Sequence, residues 1–360
     1  MLLRGIPNED TLDAAWMTEI LQRAGVAAEV VGMTRARIGT GQIGKCIRYQ
    51  LEYAVGGDTA APASVIVKYP SDDETSRTTG VLLQNFLKEV RFYQELQARL
   101  AIRTPRCFYA EIKEAGPEFA VVMEDLAPAR QGDQLLGCDA GVAHAAVMEL
   151  VGLHAPGWCD TSLRDKAWLF NADVASSDAL RDMYRAQLPG FIARYGEALA
   201  EDEQQIFQRL GEVDHAPLFA PTPEVFSLVH VDYRLDNLMI HPVDSGYEIT
   251  VVDWQSITLG APLNDVAYFL GAGLLSDERL RVEEQIVLDY YQGLLAEGVS
   301  NFSWDDCWTG YRRGAFAGFG VTVVASMLVQ QTERGDQMFT TMARRHARQA
   351  LDLQADEFLF

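Results

Sequence analysis

The stretch His230-Val231-Asp232-Tyr233-Arg234-Leu235-Asp236-Asn237, followed by Val251-Val252-Asp253-Trp254-Gln255, decides how the rest of the chain is read. An Asp five positions before an Asn follows one short apolar run, and a second Asp ends the next. These side chains are the ones phosphoryl transfer needs. One carboxylate can take the proton of an attacking hydroxyl, while an amide and a second carboxylate can hold a hard, oxygen-loving cation against phosphate oxygens. A His and an Asp capping a turn would also spell H-x-D-x-x-x-x-N, so the upstream sequence has to decide.

Upstream, Ile38-Gly39-Thr40-Gly41-Gln42-Ile43-Gly44 fits G-x-G-x-x-G through Gly39, Gly41 and Gly44. A dinucleotide-binding fold sets such glycines between a strand and a helix. Here they precede Ile47 to Tyr53, where Ile47, Tyr49, Leu51 and Tyr53 alternate with Arg48, Gln50 and Glu52 as in a half-buried strand. That predicts a strand-loop-strand cover for phosphates. Gly56-Gly57-Asp58 supplies a turn, and Val65-Ile66-Val67-Lys68 is predicted to pair back antiparallel, ending on a lysine placed to reach phosphates. One helix is predicted from about Gly80 to Leu100, with Leu82, Leu83, Phe86, Val90, Tyr93, Leu96 and Leu100 as its apolar stripe. Glu89 shares that stripe, so its carboxylate is expected inside, and a buried charge needs a partner. Lys68 is the natural one.

Phe119 to Met123 reads as a further strand, and Glu124-Asp125-Leu126-Ala127-Pro128 as a crossing between lobes. Beyond it the sequence is mostly helical around a small β insert, Phe226 to Val231, Leu238 to Ile240 and Glu248 to Trp254. Strands first and helices after predict an α+β chain in two lobes, residues 1–124 and 125–360. The 360 residues carry 30 basic and 51 acidic side chains, a net charge of -21 and 48% hydrophobic residues. This is the composition of a folded protein lacking the basic face that nucleic acid or an anionic membrane calls for. Five cysteines without a C-x-x-C pair suggest reduced thiols, and no window reaches the length of a membrane span. A cytoplasmic location is expected.

The glycine loop, strand lysine, helix glutamate, lobe crossing, H-x-D-x-x-x-x-N and strand-terminal Asp stand in the order kinases use. From about Arg35 to Gly273 the chain resembles the aminoglycoside phosphotransferase-like, or choline-kinase-like, branch of the protein-kinase fold. Val-Val-Asp-Trp-Gln, Leu-Gly-Ala-Pro-Leu-Asn-Asp and Val-Ala-Tyr-Phe-Leu between Leu228 and Leu270 resemble bacterial relatives of ecdysteroid kinases, and the kinase domains fused to acyl-CoA dehydrogenases. The resemblance implies a bilobal fold with a small β-rich N-lobe that binds nucleotide and a larger, mainly helical C-lobe for catalysis and the acceptor. It implies an O-phosphotransferase moving the γ-phosphate of ATP or GTP to a small-molecule hydroxyl, with Mg2+ as cofactor. Asp232 would be the catalytic base and Asn237 and Asp253 the magnesium ligands. Lys68 and Glu89 would form the nucleotide pair under the glycine loop, the backbone of Glu124 to Leu126 would meet the base of the nucleotide, and Asp265 would brace the catalytic loop. Family members often carry Gly where this chain has Val231. No Asp-Phe-Gly or Ala-Pro-Glu motif is present, which speaks against a regulated protein kinase.

The implied acceptor pocket would draw on His154, Trp158, Trp168, Phe170, Trp304, Trp308 and Tyr311, aromatic walls that suit a hydrophobic or amphiphilic alcohol. His154 also reads as a core histidine of the helix that ends Gly-Leu-His-Ala. An aminoglycoside or macrolide antibiotic as acceptor, a nucleotide-binding protein without turnover, and a nicotinamide enzyme using the glycine loop are the alternatives. Asp236 could meet solvent, metal or Arg234.

Overall fold

Residues 5–39, 43–55 and 60–359 are described in a computed structural model of the protein. Gly41 and the Gly56-Gly57-Asp58 turn therefore lie outside the described residues. The chain divides into two units. The first holds the residues up to Arg99, Thr104–Pro128 and Val252–Ile257; the second holds Leu100–Arg103, Ala129–Val251 and Thr258 onward.

The first unit is built on an antiparallel sheet of order β1-β2-β3-β5-β4, formed by β1 (Val30–Ile38), β2 (Gly44–Tyr53), β3 (Ser64–Pro70), β4 (Cys107–Ile112) and β5 (Phe119–Glu124). β3 sits in the middle because nearly every residue in it is buried, and Lys68 faces Cys46 on one side and Val121 on the other. Helix α1 (Ala14–Arg23) covers one face. Asp13 caps it by accepting from Trp16 N, and Trp16, Met17, Ile20 and Leu21 recur at helical spacing to pack with Ile47, Tyr49, Val65, Val67 and Val122. Each fully buried side chain of this kind contributes roughly 1.5–3 kcal/mol.

The predicted single helix from Gly80 to Leu100 is not one helix. It breaks into α2 (Glu74–Leu82) and α3 (Asn85–Arg91), followed by a π-turn over Phe92–Leu96. Gln84 lies at φ 57 between the two, and Asn85 turns inward to donate through Nδ2 to the Gln255 carbonyl at 2.9 Å. Leu82 and Leu83, expected on the buried stripe, are exposed, while Phe86, Glu89, Val90, Tyr93 and Leu96 are buried. The periodicity continues across the break, so the stripe alone could not show it.

The second unit is mainly helical. Helix α4 (Ala140–His154) is capped by Asp139, which accepts from Val142 N. It is followed by α5 (Val174–Tyr195) and α6 (Glu201–Glu212). Two small sheets follow, β6 (Arg130–Gln131) with β8 (Leu238–Val243) and β9 (Gly246–Val251), and β7 (Ser227–Val229) with β10 (Thr258–Gly260). The remaining helices are α7 (Leu263–Gly273), α8 (Ser276–Ala296), α9 (Trp304–Gly314), α10 (Ala317–Gly320), α11 (Ser326–Leu328) and α12 (Glu333–Asp352). Helix α7 is buried almost throughout, which makes it the axis on which the unit packs. Among the described residues no helix is long and apolar enough to cross a membrane.

Candidate active site

In the first unit three ionisable side chains meet. Lys68 Nζ lies 2.6 Å from Glu89 Oε2 and 2.8 Å from Asp253 Oδ1, with Lys68 and Glu89 both buried. Burial opposes the lysine's charge, but the two carboxylates outweigh it and its pKa is raised. Two carboxylates sharing one lysine leave a surplus negative charge, and burial pushes Glu89 up to about 7 against the pull of Lys68. Gly44 starts β2 beside this group. A Cβ there would stand 3.0 Å from Lys68 Cε and 3.2 Å from the Tyr69 carbonyl, so a side chain would crowd the lysine. Gly39, at the other described end of the loop, has φ +69, a conformation glycine takes without strain. Asp253 is held in position by its neighbour: Trp254 stacks on Phe92 with centroids 3.9 Å apart and planes 5° off parallel.

Glu124 is exposed and ends β5, its Oε2 accepting from Arg106 N at 3.1 Å, and Leu126 is half-buried. Between them Asp125 accepts from Arg48 Nε and Nη2 at 2.6 and 3.0 Å and from Ser64 Oγ at 2.6 Å. This clamp fixes the end of β5, and no pattern in the sequence pairs residues so far apart.

In the second unit the loop after β7 carries Asp232. Its Oδ1 accepts from Arg234 Nε at 3.0 Å and from the Tyr268 hydroxyl at 3.1 Å, and its Oδ2 from Asn237 Nδ2 at 2.9 Å. Burial would raise this carboxyl, yet Arg234 foremost, with His230, Asn237 and Tyr268, holds it below the usual carboxylate range. Asp232 is therefore ionised at neutral pH, as a general base must be. Arg234 also donates to Asp236 Oδ2 at 2.5 Å, which answers what Asp236 meets.

The loop backbone is tied down at several points. Asp265, near the start of α7, accepts from His230 N at 2.6 Å and from Val231 N at 2.9 Å. Tyr233 donates to the Ala146 carbonyl, Gln134 Oε1 accepts from Leu235 N, and Gln131 Nε2 donates to the Asp236 carbonyl. Tyr268, within Val-Ala-Tyr-Phe-Leu, joins the site without being marked by the motif itself. The sequence does carry a signal for it, since Asp265 and Tyr268 stand three apart on one helix and so share a face.

Two side chains expected to line an acceptor pocket lie elsewhere. His154 is completely buried, with Nδ1 2.7 Å from the Tyr290 hydroxyl and Nε2 3.4 Å from Asp265 Oδ2. Tyr311 is also completely buried and donates to Glu283 Oε2 at 2.6 Å. Both belong to the core because their polar tips are satisfied there by other buried groups. Trp158, Trp168, Trp304 and Trp308 are half-buried and Phe170 is exposed. Trp304 stacks on Trp308, and Trp158 meets Phe302 edge-on.

The matching family model, the ecdysteroid kinase-like family, spans residues 39–300, from the glycine loop through the Asp232 loop and beyond α7. The chain belongs to the ecdysteroid kinase-like family. Acyl-CoA dehydrogenase family member 10 of Mus musculus is 48% identical over 52 residues, 14% of this chain and 5% of that protein. Acyl-CoA dehydrogenase family member 11 of Homo sapiens is 46% identical over 43 residues, 12% of this chain and 5% of that protein. The matched segment thus spans about a twentieth of each relative's length. Among solved structures, choline kinase from Cryptosporidium parvum superposes with a TM-score of 0.59 at 9% identity, covering 96% of this chain and 98% of that one. The GDP complex of aminoglycoside 2'-phosphotransferase-IIIa gives 0.55 at 13% identity, with 92% and 97% covered. Ethanolamine kinase of Plasmodium vivax gives 0.53 at 11% identity, with 96% and 90% covered. These likenesses place this ecdysteroid kinase-like chain in the protein-kinase-like fold, with an N-terminal antiparallel sheet and a mainly helical remainder.

Proposed function

We propose that the protein is a small-molecule O-phosphotransferase that moves the γ-phosphate of ATP or GTP to a hydroxyl of a hydrophobic or amphiphilic acceptor in the cytoplasm. The observation that carries this reading is Asp232. Its carboxylate is kept ionised by Arg234, Asn237 and Tyr268 on a loop whose backbone is pinned by Asp265. In the proposed reaction the acceptor's proton passes to Asp232, its oxygen bonds to the γ-phosphorus, and the bond from that phosphorus to the nucleoside diphosphate breaks. Lys68, paired with Glu89, is proposed to receive the triphosphate together with the loop glycines 39, 41 and 44, with the backbone of Glu124 and Leu126 for its base.

Asn237 and Asp253 are proposed as magnesium ligands. The donor chemistry fits: both hydrogen bonds of the Asn237 side chain to Asp232 use Nδ2, which leaves the amide oxygen for a cation. Among the described residues no three His, Cys, Asp or Glu side chains gather into a metal cluster. Phosphate and water oxygens would complete the shell, as magnesium prefers. When bound, the ion neutralises charge on the phosphates.

The test is a library of metabolites and antibiotics screened with ATP and GTP for release of the diphosphate, with Asp253→Ala as the blank. On any acceptor found, Asp232→Asn should lose roughly 100- to 10,000-fold in rate while keeping the thermal shift given by Mg-nucleotide. A variant with unimpaired turnover removes Asp232 from this role. A nucleotide shift without turnover on any compound would mark a binding protein instead.

A further inference from the structure

We infer that Val231 determines specificity between acceptor and water: its isopropyl group, held on a strained backbone next to Asp232, keeps water from replacing the acceptor at the base. The inference rests on the phosphotransferase reading above. Val231 has φ 72, in the left-handed region. A β-branched residue there crowds its own carbonyl, whereas glycine would adopt the same backbone freely. The conformation is held from outside, by the two bonds that Asp265 accepts from His230 N and Val231 N. Strain held in place in this way gathers where a side chain's position matters to function.

What the strain positions is an apolar group at the surface. Val231 is 39% exposed, unusual for a large hydrophobic residue in a pinned loop, and its neighbour Asp232 also reaches solvent while Tyr233 is buried. A second exposed apolar side chain, that of Phe170, is tied by its backbone to the small sheet that leads into this loop. The Phe170 carbonyl accepts from Thr258 Oγ1 and Leu259 N of β10, which pairs with β7, the strand that leads into Val231. Phe170 is 49% exposed.

An ionised base beside open solvent would accept a proton from water as readily as from an acceptor. In that side reaction the water oxygen bonds to the γ-phosphorus, its proton goes to Asp232, the bond to the diphosphate breaks, and nucleoside diphosphate and inorganic phosphate leave. The inferred effect of the Val231 hydrocarbon, one residue from the base in the chain, is to suppress it by offering water no hydrogen-bonding partner.

The experiment measures phosphate release from Mg-ATP and Mg-GTP by the full chain with water as the only acceptor, together with melting temperature. Val231→Gly and Val231→Ala should each raise hydrolysis by about tenfold or more. Val231→Gly should also melt about 1–3 °C higher as strain is relieved, whereas Val231→Ala, which keeps its Cβ, should not. Hydrolysis unchanged or reduced in both folded variants overturns the inference, as does a lower melting temperature for Val231→Gly. If only Val231→Ala folds, its hydrolysis decides alone. Adding Asp232→Asn to either variant should abolish the gain. A gain that survives it overturns the role of Asp232 rather than that of Val231, so the two failures can be told apart.

Discussion

Asp232 does not act as an isolated carboxylate. Oδ1 takes hydrogen bonds from Arg234 and Tyr268, and Oδ2 takes one from Asn237. Tyr268 is therefore a positioning residue in the proposed reaction, and burial beside Asp232 keeps its hydroxyl protonated and donating. Tyr268→Phe should lower kcat by roughly ten- to a hundredfold and leave the KM for nucleotide nearly unchanged, because a hydrogen bond to a charged group is worth about 1.5–3 kcal/mol. The sign of the pH effect follows from the same bond. A donor lost from the ionised form raises the Asp232 carboxyl, so the acid limb of kcat/KM should move to higher pH. A limb that stays in place would reduce Tyr268 to packing.

Among elements, α7 does most to shape the loop that carries Asp232, through Asp265. Asp265→Asn keeps the shape but turns an amide donor toward one of two backbone donors. The expected cost is about 1–3 kcal/mol, read as a lower urea midpoint, with kcat reduced as well because the Val231 backbone loses its external hold. This element was legible in advance: Leu-Asn-Asp-Val-Ala-Tyr marked both the helix and the brace. So was the ladder from Ile47 to Lys68, because alternation over a few residues is a local property. The broken helix was not. Gln84 carries no glycine or proline signal, and what turns Asn85 inward is the carbonyl of Gln255, 170 positions away. His154 already reads as a core histidine from its helix, whereas the place of Tyr311 stayed open for a similar reason. Ring side chains on a helix look alike whether they face a ligand or a core, and only partners such as Tyr290 and Glu283 separate the two.

At the level of the whole molecule, the net charge of -21 means that mild acid relieves repulsion, while one buried group works the other way. His346 in α12 is completely buried, stacks on Tyr268, and is pushed by burial from 6.5 down to about 3. The folded state thus refuses a proton that the unfolded chain accepts between those values. In this window stability falls as pH falls, by up to about 1.4 kcal/mol for each unit below 6.5. His346→Phe keeps a ring against Tyr268 and removes the titration. Urea unfolding at pH 7.5 and pH 4.5 should show the wild type losing more stability than the variant, and equal losses would mean that His346 is protonated in the fold. The acidic total does not identify an acceptor, since the proposed triphosphate binding would depend on the local charge of Lys68.

The stack of Trp254 on Phe92 also gives the protein an optical handle. Trp254 is completely buried and directly follows Asp253 in the chain, so its indole emission belongs to a dry, aromatic setting fixed to the segment that holds this carboxylate. A cation or phosphate that draws Asp253 away from Lys68 would disturb that ring before any product forms, and fluorescence could follow nucleotide arrival without knowledge of the acceptor.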